Sequence, residues 1–138
     1  MKVTVDWAPP MQFEGRAESH AQLVMAERPK DGALPAGPSP METALMALCS
    51  CAGVDIVEIL QKMRAPLAGL HIEADAERAA DPPRVFTKIH LRFHVRGEGL
   101  AREQVERAVS LSIDKYCSVA GMLRHTARIT HEISLRES

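Results

Sequence analysis

The amino-acid sequence predicts an α+β protein, with antiparallel sheets packed on helices in the order βββ-α-ββ-α(α)-β. Three observations carry that expectation. The segments "LHIEADAER" and "KIHLRFHVRG" alternate apolar and polar residues with a period of two, as half-buried strands do. From Thr43 to Val54 the chain carries no charge and follows a helix-start signal. In "LAREQVERAVSLSIDKYC", Val105, Ala108, Val109, Ser112 and Tyr116 fall on one helical stripe.

The first part of the chain predicts short strands near Lys2–Trp7, Gln12–Ala17 and His20–Met25, separated by the breaks "APP" and "ESH". Ala26–Pro40 then gathers four prolines and two glycines, too broken for helix or strand, and reads as a long surface loop. The loop ends in a helix start. Ser39 can cap, Pro40 suits the first helical position, and Glu42 stands where it closes a capping box. The helix should run from Pro40 to about Arg64. Its uncharged first half must be surrounded by protein, because it is apolar all round. It falls short of the ~20 residues of a membrane span. A single small sheet cannot wrap such a helix, so a second copy of the chain is expected to cover it, making a homodimer.

In the two alternating strands Leu70, Ile72, Ala74 and Ala76 share one face, as do Ile89, Leu91, Phe93 and Val95. With a turn near Asp81-Pro82-Pro83, pairing Glu77 with Lys88, Asp75 with His90 and Glu73 with Arg92 joins the apolar faces and sets opposite charges across from one another. The second helix should end or break near Tyr116–Ser118, with a further turn capped by Ser118. A last strand, Arg128–Arg136, puts Ile129, His131, Ile133 and Leu135 on one side.

The 138 residues, 46% hydrophobic and 25% charged and without repeats or an internal linker, suit one domain over 1–138. A formal net charge of −1 removes any global electrostatic argument for nucleic acid or an anionic membrane. The acidic strand beside Lys88–Arg96 also neutralises that basic stripe locally. The N-terminal "MKVTVDWAPP" lacks the long apolar core of a secretory signal, so a cytoplasmic location is expected. Three cysteines form an odd set, which fits a reducing compartment.

Cys49 and Cys51 lie in the first helix and point about 200° apart, so they cannot bridge each other. If either thiol does chemistry its partner must come from elsewhere, and the remaining cysteine is Cys117. Cys51 could equally be a small core residue. Cys117 precedes the predicted short helix, where the dipole and free N–H groups favour a thiolate. Whether the two approach within bridging distance is open at the level of sequence. Cys49 reads as packing. Of the six histidines, His90 and His94 would sit ~13 Å apart on a strand, too far for one ion. His20, His71, His125 and His131 have no ligand spacing, so no metal and no cofactor is expected.

The stretches "GPSPMETALMALCSCAGVDIVEIL", "HIEADAERAADPPRVFTKIHLRFHVRGEGL" and "VERAVSLSIDKYCSVAGML" together resemble the OsmC/Ohr family, the osmotically inducible protein C and organic hydroperoxide resistance proteins. The likeness runs from about Gly37 to the C-terminus and keeps the family's order. It implies an intertwined homodimer with two antiparallel sheets wrapped about central helices. It also implies a thiol peroxidase acting on organic hydroperoxides, with Cys51 matching the peroxidatic cysteine and Cys117 the resolving one. The sulfenic acid formed on Cys51 would condense with Cys117, and a dithiol or lipoyl-type reductant would restore both thiols.

Two departures accompany the resemblance. In the peroxidase branches a glutamate directly follows the helix-opening proline and holds an activating arginine. Here Met41 takes that place and Glu42 is displaced by one, while Arg16 and Arg28 are the arginines available in the N-terminal part. Those branches also follow the second cysteine with proline, where this chain has Ser118. The departures motivate an alternative: a non-enzymatic dimer that binds a small apolar ligand or senses redox stress.

Overall fold

The computed structural model describes residues 1–137, and the chain divides into two compact units, Met1–Met46 and Ala47–Ser138. The first contains an antiparallel sheet of β1 (Val3–Ala8), β2 (Gln12–Ala17) and β3 (Gln22–Ala26), in that order. Its register sets Val5 across from Gly15, Trp7 across from Phe13, and Phe13 across from Met25. One face of this sheet is therefore apolar, while Thr4, Asp6, Glu14 and Arg16 occupy the other. On the apolar face Val3, Val5, Trp7 and Leu23 remain 46–67% exposed. The third strand starts later than the sequence suggested, because His20 has φ 65° and belongs to the turn.

The loop after β3 is fastened near its end. The Ala26 N–H donates to the Pro38 carbonyl at 3.0 Å. A Cβ on Gly37 would lie 2.4 Å from the Val24 carbonyl oxygen, so only glycine fits. Helix α1 (Pro40–Lys62) begins with the expected capping box: the Glu42 N–H donates to Ser39 Oγ at 3.2 Å, and the Ser39 N–H donates to Glu42 Oε1 at 3.1 Å. The helix stops at Lys62, with Arg64 in the left-handed region at φ 54° and the Ala65 N–H bonded back to the Leu60 carbonyl at 2.9 Å.

The second unit holds most of α1, then β4 (Gly69–Arg78), β5 (Phe86–Arg96), α2 (Arg102–Leu111), a π-helical turn over Ser112–Tyr116, α3 (Ser118–Leu123) and β6 (Arg128–Arg136). The observed element order is the predicted one. The sheet runs β4-β5-β6, and β4 pairs with β5 in the expected register, Glu77 with Lys88, Asp75 with His90 and Glu73 with Arg92. One pairing differs: β6 runs parallel to β5. The chain passes through α2, the π turn and α3 between them, and a helical crossover returns it in the same direction.

The charged face is balanced from both sides of β5. Lys88 pairs with Glu77 at 3.4 Å, while Arg92 meets Asp75 from β4 and Glu132 from β6, the latter at 3.1 Å. On the other face Ile89, Leu91, Phe93 and Val95 of β5 are buried, as are Leu48, Ala52, Ile56 and Leu60 of α1 and Val105, Ala108 and Val109 of α2. Burying each large aliphatic or aromatic side chain of this set contributes about 1.5–3 kcal/mol.

Helix α1 has 23 residues and is apolar enough to cross a membrane by length and composition. Its buried Leu48–Ala52–Ile56–Leu60 stripe marks it instead as a core helix. Within one chain Met46 and Val54 of this helix are 55% and 58% exposed. One stripe is buried and the opposite flank is uncovered.

Candidate functional site

Helix α1 presents Cys51 on the flank beside its buried stripe, four residues before Asp55 and therefore on the same side. The second cysteine arrives by a different route. After α2 the chain widens into the π turn, closed by the Cys117 N–H donating to the Ser112 carbonyl at 2.7 Å. Cys117 is then extended, with φ −66° and ψ 106°, and becomes the N-cap of α3, its Sγ accepting the Ala120 N–H at 3.4 Å. The sequence placed Ser118 at this cap. The end of the π turn at Tyr116 puts the non-helical residue at Cys117 and makes Ser118 the first residue of α3.

The result brings Cys51 and Cys117 together. Their thiols are close enough to interact electrostatically, and all three cysteines are unbridged. Burial pushes the Cys117 thiol up to about 11; the Ala120 N–H opposes the shift, and the adjacent Cys51 adds to it. The dipole-favoured thiolate expected here is overridden by desolvation. Cys49 stands apart from this pair. It shares a helix flank with Gly53, where a Cβ would meet Ile72 of β4 at 3.3 Å, so that flank looks toward the sheet. Cys49 is half-buried, and burial raises its pKa too.

Glu42, Arg28 and Arg16 belong to the first compact unit. The Ser39 side chain and backbone hold the Glu42 carboxyl below its ordinary value of 4.5, and Arg28 adds a smaller lowering through its charge. The structure thus sets Arg28, on the loop after β3, where its charge reaches Glu42. Arg16 sits on the polar face of β2, across from Thr4 and Gln22. The two histidines four apart on β5 have different neighbours. His90 Nδ1 is 2.7 Å from Thr130 Oγ1, whereas the His94 ring lies 5.7 Å from that of His71, with Glu73 3.5–3.6 Å from both.

Three further residues were not singled out in the sequence for this site. Ser112 is fully buried, with Oγ 3.2 Å from the Ala52 carbonyl and 3.1 Å from Asp55 Oδ2. Arg124 donates from Nε to the Ala120 carbonyl at 3.2 Å and from Nη2 to the Ile113 carbonyl, bracing the π turn and α3 together. A serine on the apolar stripe of α2 was the available signal for the first; Asp55 and Arg124 carried none.

An α+β fold with two thiols close together on separate helices defines a candidate dithiol redox protein. The comparisons place it more closely: the chain belongs to the OsmC-like protein family, which matches residues 30–132. Protein YhfA of Escherichia coli is 42% identical over 131 residues, covering 95% of each chain. A hypothetical protein of Aquifex aeolicus with a crystal structure is 26% identical, covers 99% of this chain and 97% of its own, and superposes with a TM-score of 0.82. The organic hydroperoxide resistance protein OhrB of Bacillus subtilis, 16% identical over 96% of each chain, shares the fold with a TM-score of 0.64.

Proposed function

We propose that this protein is a thiol-dependent peroxidase that reduces organic hydroperoxides, with Cys51 as the peroxidatic and Cys117 as the resolving cysteine. The proximity of the two thiols, close enough for Cys51 to perturb the ionisation of Cys117, is the observation that supports this reading most strongly. The Cys51 thiolate attacks the distal oxygen of the hydroperoxide and the O–O bond breaks. With one proton taken up, the alcohol leaves and Cys51 carries a sulfenic acid. The Cys117 thiol then displaces the hydroxyl, forming the Cys51–Cys117 disulfide and one water. A dithiol or lipoyl-type reductant gives up two electrons and two protons to restore both thiols.

Arg28 or Arg16 is the proposed activator of Cys51, and Glu42, whose carboxyl feels the charge of Arg28, is the proposed holder of that arginine. The working unit is a homodimer: the uncovered flank of α1 at Val54 and the exposed apolar face around Val5 and Trp7 are the surfaces a second copy would bury. A cytoplasmic location accords with the odd set of three cysteines.

The test is intact-mass analysis and peptide mapping after one equivalent of an alkyl hydroperoxide is added to reduced protein. A Cys51–Cys117 bridge with Cys49 free is expected; neither bridge nor sulfenic acid would remove the peroxidase reading. One observation favours a second reading, the redox sensor. The raised pKa of Cys117 leaves little thiolate near neutral pH, which suits slow, stoichiometric oxidation. Rapid multiple turnover with a dithiol would exclude it.

A further inference from the structure

We propose that Ser112 is a positioning residue for disulfide closure, holding Cys117 against Cys51 through the π turn. The proposal rests on the reading of the cysteine pair given above. Among the described residues, Ser112 is the polar residue of an otherwise apolar core. A hydroxyl there is costly unless bonded, and a small apolar residue would fill the same place without that cost. Its bonds connect the two halves of the site. The side chain reaches the Ala52 carbonyl at 3.2 Å and Asp55 Oδ2 at 3.1 Å, one residue and one turn beyond Cys51. The Ser112 carbonyl takes the Cys117 N–H at 2.7 Å.

One residue thus grips the helix that carries the first thiol and the backbone that carries the second. The grip matters because of the turn it closes. A π turn spans one residue more per hydrogen bond than an α turn, so reversion to α geometry would re-aim Cys117 and its Sγ. Arg124 braces the far side of the turn through the Ile113 carbonyl, and Ser112 fixes the side facing α1. The chemistry served is balanced within the protein: the Cys51 sulfenic acid and the Cys117 thiol become a disulfide and one water. The hydrogen bonds of Ser112 go to Ala52, Asp55 and the Cys117 backbone, so it acts through the position of Cys117.

The experiment equilibrates the full-length protein, in a Cys49→Ser background, with glutathione redox buffers and reads the effective concentration of the Cys51–Cys117 bridge. Loss of one buried hydrogen-bonding group predicts that Ser112→Ala lowers this value about tenfold. Val109→Ala, a cavity in the buried face of α2, serves as the destabilised control and should stay within about twofold of the parent. Should Ser112→Ala fail to fold, Asp55→Ala should lower the value and Asp55→Asn, which keeps an acceptor, should restore it. Equal effective concentrations in the parent and the position-112 or Asp55→Ala variant overturn the proposal, as does an equal loss in Val109→Ala. Dimedone labelling after hydroperoxide addition supplies the second readout, an unchanged rate of Cys51 oxidation with a longer-lived sulfenic acid in Ser112→Ala. A parent protein that bridges in glutathione but consumes no hydroperoxide ends the peroxidase reading and leaves the positioning role standing.

Discussion

The Cys51 thiol of α1 lies close to the Cys117 thiol at the N-cap of α3, although 66 positions separate them in the chain. Cys49, two positions from Cys51, shares a flank with Gly53 that looks toward the sheet. Helix rotation explains the separation of the neighbours. The π turn and the extended conformation of Cys117 explain the approach of the distant pair.

Removing each thiol should give different products. Cys51→Ser is expected to abolish hydroperoxide consumption, since Cys49 faces elsewhere. Cys117→Ser should still oxidise once and then hold a sulfenic acid at Cys51 that dimedone traps. Mass spectrometry distinguishes the two, and full turnover by Cys51→Ser would remove the assignment.

Closure of the disulfide should accelerate with pH. Burial holds Cys117 protonated up to about 11, so its thiolate fraction grows about tenfold per pH unit across the neutral and mildly alkaline range. The same shift bears on stability. The folded state binds this proton more tightly than the unfolded chain does, so the contribution is fully present below the ordinary thiol value of 9.0 and is lost as pH rises through about 11. Stopped-flow measurement of closure between pH 7 and 9 checks the rate; a flat profile would show that Cys117 ionisation does not limit the step.

Arg28 and Arg16 should separate in kinetics. Because the charge of Arg28 reaches Glu42, Arg28→Ala is expected to slow Cys51 oxidation by about an order of magnitude if the pair activates the thiol. Arg16→Ala, on the polar face of β2, should change it little. Competition against a fluorogenic thiol reagent measures both, and the reverse ranking would transfer the role to Arg16.

The start of α1 should depend on its capping box. Ser39→Ala removes an acceptor for the Glu42 N–H and is expected to cost about 1 kcal/mol by urea unfolding. Glu42 has a depressed pKa, so its contribution is present above the ordinary value of 4.5 and is lost as pH falls through the lower folded value. An unfolding midpoint unchanged by Ser39→Ala would show that the box is dispensable.

The uncovered apolar surfaces should govern association. A charge at either place, Val54→Glu on α1 or Trp7→Glu on β1, is expected to convert the dimer to monomer in light scattering. A monomeric parent protein would contradict the homodimer directly.

Sequence by itself determined the features governed by local chemistry. The capping box of Ser39 and Glu42, the limits of β2 and β6, and the β4–β5 register follow from turn residues, a period of two and charges facing across a short connection. The inability of Cys49 to bridge Cys51 is likewise a matter of helix geometry. The resemblance then singled out Cys51 and Cys117.

Tertiary structure decided the rest. The parallel run of β6 depends on the crossover through α2, the π turn and α3, which residue alternation does not encode. The capping role of Cys117 depends on where that turn ends. The protonation of its thiol depends on burial, which outweighs the helix-end dipole that sequence position suggested. The joining of Ser112 to Ala52 and Asp55 spans 60 and 57 positions. Such contacts arise when packed elements bring distant groups into a water-poor core, where burial and hydrogen bonding set both their positions and their protonation.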